Sequence, residues 1–583
     1  MEQPLGQPAL ADGKSNQVTQ RSSLRWILPE PCDGEASRRL AAELGVPLFI
    51  AEMLCRRGFS DAAEAARFLD PKLKDLSDPF LLPNMAAAIE RLLRAIDRQE
   101  RIVLYGDYDV DGVTSLALLT RILRAFGAEP QCFLPGRIDE GYGLTPDGVA
   151  RCLSTLQPQL LVAVDCGTAS HKEIASLRGS GVDVVVLDHH ESTGAPPECV
   201  AVVNPKLGAQ FRYLCSAGIA FKVAHALLKR RPLPGLDLRE YLDYVALGTV
   251  ADLVPLIGEN RTLVRRGLAQ LGVTRWPGIR ALKEVAAIKA PVSAGDVGFK
   301  LAPRMNAAGR LGTAQDALNL LLAESGGEAV PLAESLEVQN RERRAVEDAV
   351  LTEAETQLAE CFVQSRDAAV VVGGAGWHPG VIGIVASRIM KRYHRPTLVI
   401  GFDENGVGKG SGRSIDGLSL VETLAECSHL LERHGGHEMA AGLTVRHASF
   451  AEFRVHFSQC ARRRLTDEQL QPRLKVDAEL RLSDIKMPLL VQYEALQPFG
   501  MGNGRPLFFS RGVTVASEPR VMKEKHLSLT LRQGSSEIRA VWFGAAEETL
   551  PRTPWDVAFD IERNEYQGIV TPQMQIRAVR TSS

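Results

Sequence analysis

A multidomain α/β fold is predicted for this chain, on three observations. From Arg101 to about Thr313 short apolar strands alternate with helical segments, the pattern of a parallel sheet built from βαβ units. A second α/β unit begins at the strand Asp367-Ala-Ala-Val-Val-Val-Gly373, and beyond about Gln471 apolar and polar residues alternate as they do in antiparallel strands. At 583 residues the chain is too long for one core, so about two to four domains are expected.

Taken in order, residues 1–23 are polar and rich in Gln and Ser, an expected disordered tail. Residues 24–98 read as an amino-terminal helical region, with amphipathic segments at Asp61-Ala-Ala-Glu-Ala-Ala-Arg-Phe-Leu69 and Asn84-Met-Ala-Ala-Ala-Ile-Glu-Arg-Leu-Leu93. The parallel-sheet domain follows over 99–313. Helical periodicity with many charges, including Gln339-Asn-Arg-Glu-Arg-Arg344, predicts one long connecting helix over 314–365. The second α/β domain spans 366–460. Residues 470–583 hold the alternating segments His526-Leu-Ser-Leu-Thr-Leu-Arg532 and Ser536-Glu-Ile-Arg-Ala-Val-Trp-Phe543. No repeat of fixed period interrupts this plan.

Composition narrows the function classes. With 68 basic against 70 acidic residues the net charge is −2, which excludes a generic nucleic-acid coating protein. Nucleic-acid binding would need a local basic channel, with metal ions helping to offset phosphate charge. No apolar run approaches the roughly 18 residues of a membrane span, and no hydrophobic stretch follows a basic start, so a cytoplasmic protein without a membrane segment is expected. Ten cysteines occur without a Cys-x-x-Cys pair, which argues against a zinc ribbon or a disulfide scaffold. Cys132 and Cys166 stand where a thiol packs as a small hydrophobe.

Chemistry concentrates where apolar segments end in acids. The strand Arg101-Ile-Val-Leu-Tyr105 runs into Gly106-Asp-Tyr-Asp-Val-Asp-Gly112, placing Asp107, Asp109 and Asp111 at alternate positions. Acids at the carboxyl edge of a parallel sheet lie where open α/β folds bind ligands, and such a triplet can converge on a hard divalent cation. An EF-hand fits poorly, because Leu118 stands where its closing Glu belongs. A solvated acidic turn explains the triplet alone equally well. Three further acidic or imidazole-bearing strand ends decide between them: Leu160-Leu-Val-Ala-Val-Asp165, Val182-Asp-Val-Val-Val-Leu-Asp188-His189-His190 and Val245-Ala-Leu-Gly-Thr-Val-Ala-Asp252. Any one of these acids could cap a helix; together they predict a shared site.

These segments resemble the four motifs of the DHH phosphoesterase superfamily, named for the triad that stands here as Asp188-His189-His190. Within it the chain is similar to the RecJ family of single-strand-specific 5′ to 3′ exonucleases, over nearly all residues after about 25. The resemblance rests on Gly106-Asp-Tyr-Asp-Val-Asp-Gly-Val-Thr-Ser115, Val164-Asp-Cys-Gly167, Leu187-Asp-His-His190, Gly248-Thr-Val-Ala-Asp252, Pro303-Arg-Met-Asn-Ala-Ala-Gly-Arg310, Gly410-Ser-Gly-Arg-Ser414 and Gly435-Gly-His437. It implies a parallel-sheet DHH domain, a DHH-associated nucleic-acid-binding domain marked by Gly435-Gly-His437, and an OB-type carboxyl-terminal barrel.

The resemblance further implies two ions, Mn²⁺ or Mg²⁺, held by Asp107, Asp109, Asp111, Asp165, His189 and Asp252. Asp165 and Asp252 are the implied shared ligands, with Asp107 and Asp109 on one ion and Asp111 and His189 on the other. An imidazole among carboxylates tilts preference toward Mn²⁺. Asp165 and His190 are the implied catalytic residues, His190 standing against the phosphate or behind the ligands rather than on a metal. Many superfamily members carry a metal-binding His four residues before the middle acid of the first motif; Tyr105 stands there, and Asp107 compensates in the RecJ pattern.

Guanidinium groups suit the gripping of phosphates because they donate bidentate hydrogen bonds. Candidates are Arg137, Arg304, Arg310 and the pair Ser411 and Arg413 in Gly408-Lys-Gly-Ser-Gly-Arg-Ser414, whose glycines would open a backbone anion nest. For each Arg the alternative is a surface ion pair; His437 either lines the same groove or is structural. In the barrel Phe508, Phe509, Trp542 and Phe543 are available to stack on bases, or else belong to its core. The implied function is release of 5′-mononucleotides from single-stranded DNA in recombination and repair, by a monomer working with a single-strand-binding protein and a RecQ-type helicase. Two rivals remain: a DHH phosphoesterase acting on short oligoribonucleotides, cyclic dinucleotides or polyphosphate, and a non-catalytic scaffold. The added carboxyl-terminal domain counts against the first, and the complete ligand set against the second.

Overall fold

The computed structural model describes residues 24–30, 32–136, 140–141, 143–192 and 194–582; the tail 1–23 and Arg137 lie outside them. The described chain opens with a short strand, β1 (Arg25–Ile27), ahead of the expected helices Gly34–Leu44, Leu48–Arg56, Ala62–Leu69 and Met85–Asp97. Two compact units form, one from Ala63–Arg344 with Leu496–Gly504, the other from the amino-terminal segment through Ala62, Ala345–Ala495 and Arg505–Ser583.

The first unit is built on five parallel strands, β2 (Ile102–Gly106), β3 (Gln131–Phe133), β4 (Leu160–Val164), β5 (Asp183–Leu187) and β6 (Ala201–Val203), in the order β3-β2-β4-β5-β6. Every residue of β2 and β4 is buried, because both faces of the sheet are covered. Val103, Tyr105, Leu161, Ala163 and Val186 fill one core; Leu104, Val162, Val164 and Leu187 share the other with the helices Val110–Ala125 and Ser216–Arg230. The chain leaves β2 for β3 on one side and returns for β4 on the other. The sheet therefore has its topological switch point at the carboxyl ends of β2 and β4, where open α/β folds bind ligands.

The segment before Asp252 is not a strand end. It is the helix Leu242–Ala251, with Asp252 as its carboxyl cap. Leu242 through Val250 are all buried, and an unbroken apolar run does not distinguish a buried helix from a buried strand. Gly248 permits the close packing, since a Cβ there would lie 2.7 Å from both Ala217 Cβ and Asp111 Oδ1. The expected single helix over 314–365 is likewise two, Gln315–Leu322 and the 36-residue Gly326–Cys361. Ala323 turns extended between them, and the Ser325 hydroxyl accepts from the Glu328 amide to start the second. That helix is about 54 Å long at 1.5 Å per residue.

In the second unit β7 (Val370–Ala375), β8 (Thr397–Phe402), β9 (Val407–Arg413), β10 (Arg433–Gly436) and β11 (Ala440–Arg446) form a sheet in the order β10-β11-β9-β8-β7. Val370, Val372 and Val399 pack on the helix Pro379–Tyr393, and Leu398, Ile400, Phe402 and Leu443 on the helix His447–Arg464. Gly408, Gly410 and Gly412 lie inside β9, paired on both sides, and form no nest. A Cβ at Gly410 would sit 2.8 Å from Leu443 and 2.9 Å from Ile400, so these glycines make room for the apolar side chains of the flanking strands.

The remaining strands are β12 (Arg473–Lys475), which pairs with β1, then β13 (Ala478–Glu479), β14 (Phe508–Val515), β15 (Arg520–Met522), β16 (His526–Gln533), β17 (Ser536–Trp542), β18 (Trp555–Tyr566) and β19 (Ile569–Thr581). The order β14-β18-β19-β17-β16 closes on itself, because Thr514 and Val515 of β14 also pair with β16. A closed five-stranded ring is the OB architecture. Phe508, Phe509 and Trp542 are buried in it, while Phe543 is exposed edge-on to His526.

Candidate metal centre

The tight turn after β2 sets the first three acids. A Cβ at position 112 would lie 2.4 Å from the Asp107 carbonyl oxygen, so only glycine lets the chain turn this closely into the helix Val110–Ala125. Asp109 caps that helix, its Oδ1 accepting from the Gly112 amide at 3.0 Å. Asp165, directly after β4, is held at φ +64, a left-handed conformation that costs a non-glycine residue about 1–3 kcal/mol. The switch point thus gathers acids from β2 and β4, the His pair from the end of β5, and Asp252 from a helix end.

Two groups of donor atoms result. Oxygens of Asp107, Asp109 and Asp165 lie within 4.8 Å of one another, and so do oxygens of Asp111 and Asp252 with a His189 ring nitrogen. His189 Nε2 stands 3.3 Å from Asp165 Oδ1, 3.4 Å from Asp252 Oδ2 and 3.8 Å from Asp111 Oδ2. Asp165, His189 and His190 make a further group of the same span. Among the described residues, the buried His189 Nε2 and Asp252 Oδ2 have no hydrogen-bond partner. Orphaned lone pairs that face one another from an imidazole and carboxylates are what a divalent cation satisfies, and the mostly oxygen donor set suits Mn²⁺ or Mg²⁺.

Electrostatics agree. Burial, then the neighbouring Asp111, Asp109, Asp107 and Asp252, push the Asp165 carboxyl well above its ordinary range. Asp252 is pushed up to about 9 by burial and then Asp111, and Asp111 to about 6 by burial and then Asp109. His189 is pushed down to about 3, first by burial and then by His190, which leaves its imidazole neutral and able to ligate. Lys206 offsets the crowding at Asp252 only in small part.

A surrounding set of residues, of which the sequence reading had singled out only Asp188, holds the donors in place. Both oxygens of Asp111 receive backbone amides at the start of the helix Ser216–Arg230, from Ser216 at 2.7 Å and Ala217 at 2.9 Å. The Ser216 hydroxyl donates to Asp165 Oδ1 at 2.9 Å. Asp188 faces away from the donor groups: its Oδ1 accepts from the His189 amide at 2.7 Å and lies 2.7 Å from His190 Nδ1, and its Oδ2 accepts from the Thr168 amide. Burial raises the Asp188 carboxyl, yet the bonds from His190 and Thr168 outweigh it and hold the pKa low. Asn204 ties the Thr168 hydroxyl to the His190 carbonyl. For Ser216 and Ala217 the sequence signal was the small-residue start of an apolar helix at Cys215-Ser216-Ala217.

The other expected site residues are distributed differently. Tyr105 is buried on the opposite core, stacked on Phe133, with its hydroxyl donating to the Gly143 carbonyl. Arg304 is buried in an ion pair with Glu337 at 2.6 Å and a bond to the Lys300 carbonyl, not in the surface ion pair weighed for it. Arg310 lies on the same helix, Ala302–Leu311, which passes Tyr108 at Gly309. In the second unit Ser411 and Arg413 point to the helix Pro379–Tyr393, where a Cβ at Gly383 would lie 2.9 Å from Ser411 Oγ and 3.2 Å from Arg413 Nη2. Arg413 donates to Ser411 Oγ and to the Gly412 carbonyl, and no carboxylate pairs with it among the described residues. His437 is exposed in the turn between β10 and β11.

Comparison with known proteins accounts for the order of domains. Residues 101–249 match the DHH family, N-terminal domain; 366–463 match the DHHA1 domain; and 476–578 match the RecJ OB domain. The chain is 35% identical over 577 residues to the single-stranded-DNA-specific exonuclease RecJ of Bacillus subtilis, covering 96% of this chain and 71% of that protein. It superposes on RecJ of Thermus thermophilus in complex with Mn²⁺ with a TM-score of 0.82 at 33% identity, covering 97% of this chain and 80% of the other. The Mg²⁺ complex of the same protein gives 0.76 at 31% identity, covering 97% and 79%. With a shared DHH, DHHA1 and OB order and these identities along nearly its full length, the chain belongs to the RecJ family of DHH phosphoesterases.

Proposed function

We propose that this chain is a metal-dependent exonuclease specific for single-stranded DNA, that it degrades from the 5′ end, and that it releases 5′-mononucleotides. The observation that carries the reading is the pair of facing donor groups, Asp107-Asp109-Asp165 and Asp111-His189-Asp252, at the switch point of the parallel sheet. Those six residues would hold two ions, with Asp165 near both groups through its contact to His189. Bound there, divalent cations supply Lewis acidity, lowering the pKa of an attacking water and offsetting phosphate charge.

The chain's own residues do the rest. Asp188 fixes the half-exposed His190 ring through Nδ1, so that the imidazole can stand against a substrate phosphate beside the acids. Ser216 and the amides of Ser216 and Ala217 keep Asp165 and Asp111 in register with His189. Arg413 with Ser411 has the chemistry of a terminal-phosphate grip, a guanidinium without an acidic partner among the described residues, beside a helix amino-terminal half. Arg310, Arg137 and His437 are proposed to contact the strand; Arg304 is proposed to position the helix that carries Arg310 through Glu337. A cytoplasmic monomer working in recombination and repair with a single-strand-binding protein and a RecQ-type helicase completes the reading, supported by the family resemblance alone.

The test uses single strands labelled at either end, a matched duplex and a dinucleotide, each with Mn²⁺ or Mg²⁺. Mononucleotide release from the 5′ label of the long single strand is the expected result. Cleavage confined to the dinucleotide, or release of the 3′ label first, would sink it.

A further inference from the structure

A second cluster of metal-ligating side chains lies in the second unit, at the core that Leu398, Ile400 and Leu443 share with the helix His447–Arg464. Cys427 follows the helix Leu420–Glu426, and His456 and Cys460 stand four apart on one face of the helix His447–Arg464. A ligand atom from each lies within 4.8 Å of the other two. Both sulfurs belong to fully buried residues, whereas His456 is half-buried.

Two observations distinguish this cluster from cysteines that merely pack. His429, two residues beyond Cys427 on the turn Ser428–Leu430, presents its ring edge-on to His456 with centroids 5.1 Å apart; it is not one of the three residues whose ligand atoms already lie together, but it is the imidazole next to them. Arg463 donates to Cys460 Sγ at 3.2 Å while its other contact is Glu426 Oε2 at 3.1 Å. An N–H donor aimed at a sulfur, itself oriented by a carboxylate, is the outer support that metal thiolates receive. In sequence the set reads Cys427-x-His429 and His456-x-x-x-Cys460, two pairs of ligands on two elements, which no Cys-x-x-Cys search detects.

We propose that Cys427, His456 and Cys460, closed by His429, bind one zinc-type divalent cation that clips the end of the helix Leu420–Glu426 to the helix His447–Arg464. Two thiolates and two imidazoles match the soft, tetrahedral preference of Zn²⁺ and differ in kind from the oxygen-rich groups around Asp165, which suit Mn²⁺ or Mg²⁺. Binding releases the two thiol protons to solvent; no oxidation is involved. The site is structural, because all four protein ligands leave no open position for substrate.

The experiment uses the full chain, reduced and stripped of metal. Titration with Co²⁺ is expected to produce a sulfur-to-metal charge-transfer absorption with one equivalent, lost in Cys427→Ala and His456→Ala and retained in Cys361→Ala, whose thiol is exposed elsewhere. Should the ligand variants fail to fold, the wild-type chain still decides: Zn²⁺ is expected to slow alkylation of Cys427 and Cys460, read peptide by peptide, by about tenfold or more. No sulfur-to-metal absorption, or alkylation at these two residues that is the same with and without Zn²⁺, overturns the proposal. So does a Cys427–Cys460 disulfide that forms equally fast in its presence.

Discussion

Asp188 Oδ1 lies 2.7 Å from His190 Nδ1 while also accepting the His189 backbone amide, so one buried carboxylate fixes the His190 ring and the backbone that carries His189. In Asp188→Asn an amide NH₂ would confront donors it cannot accept from. The expected result is a loss of about 10–100-fold in activity, with a higher Mn²⁺ requirement and an unchanged fold. Metal titrations of rate for the two proteins check it.

Five carboxyls gathered at one site, with Asp107, Asp111 and Asp165 buried and Asp109 and Asp252 half-buried, predict opposite effects of one substitution with and without metal. Metal-free Asp165→Asn is expected to melt above the wild type near neutral pH, because burial and crowding oblige the carboxyl to take up a proton on folding, a cost that the amide does not carry. With Mn²⁺ the order reverses. The wild type gains about 2.7 kcal/mol at a hundredfold excess over Kd, whereas the variant gains little and its cleavage falls to background. Thermal melts with and without Mn²⁺ separate the cases.

Arg413 predicts a split between binding and turnover. Arg413→Ala is expected to raise KM for a 5′-phosphorylated strand by at least about tenfold, the worth of one charge-assisted hydrogen bond, with a smaller change in kcat. Arg413→Lys keeps the charge but not the fork, and should restore little. A variant whose KM is equal to the wild type for 5′-phosphate and 5′-hydroxyl strands alike refutes the role.

Asp243 sets a pH dependence that has nothing to do with catalysis. Burial lifts its carboxyl to about 7, despite the Thr274 hydroxyl at 2.6 Å and the Tyr244 amide, which favour the ion. Since the folded protein holds this proton and the unfolded chain releases it near pH 4, the group's contribution to stability is full below about pH 4 and is lost as pH rises to about 7. Asp243→Asn has no such proton. Its stability relative to the wild type is therefore expected to climb from about pH 4 to about 7 and then level off, as denaturation at several pH values would show.

The strand ends at Asp107, Asp165 and Asp188 were legible because an apolar run that ends in an acid carries its own register: the strand fixes direction, and the break in hydrophobicity fixes where the sheet stops. Asp252 was found for the right chemistry and the wrong local structure, since a helix buried all round and a buried strand present the same unbroken apolar string. Ser216 and Asn204 were not legible. Their roles depend on contacts 51 and 14 residues distant, to Asp165 and His190, and no local pattern encodes such distances. The glycines of β9 misled for a related reason, because a small residue that admits a neighbour's side chain looks the same in sequence as one that admits a phosphate.

Asp111 receives its two amides from a helix that begins more than a hundred positions later, and it faces an acid later still, at 252. A chain emerging from the ribosome therefore carries its first three acids long before it carries a place to put a cation. Until the segment through Asp252 has been made and packed, those acids are ordinary solvated carboxylates, and a half-made chain has no means of cutting the nucleic acid around it.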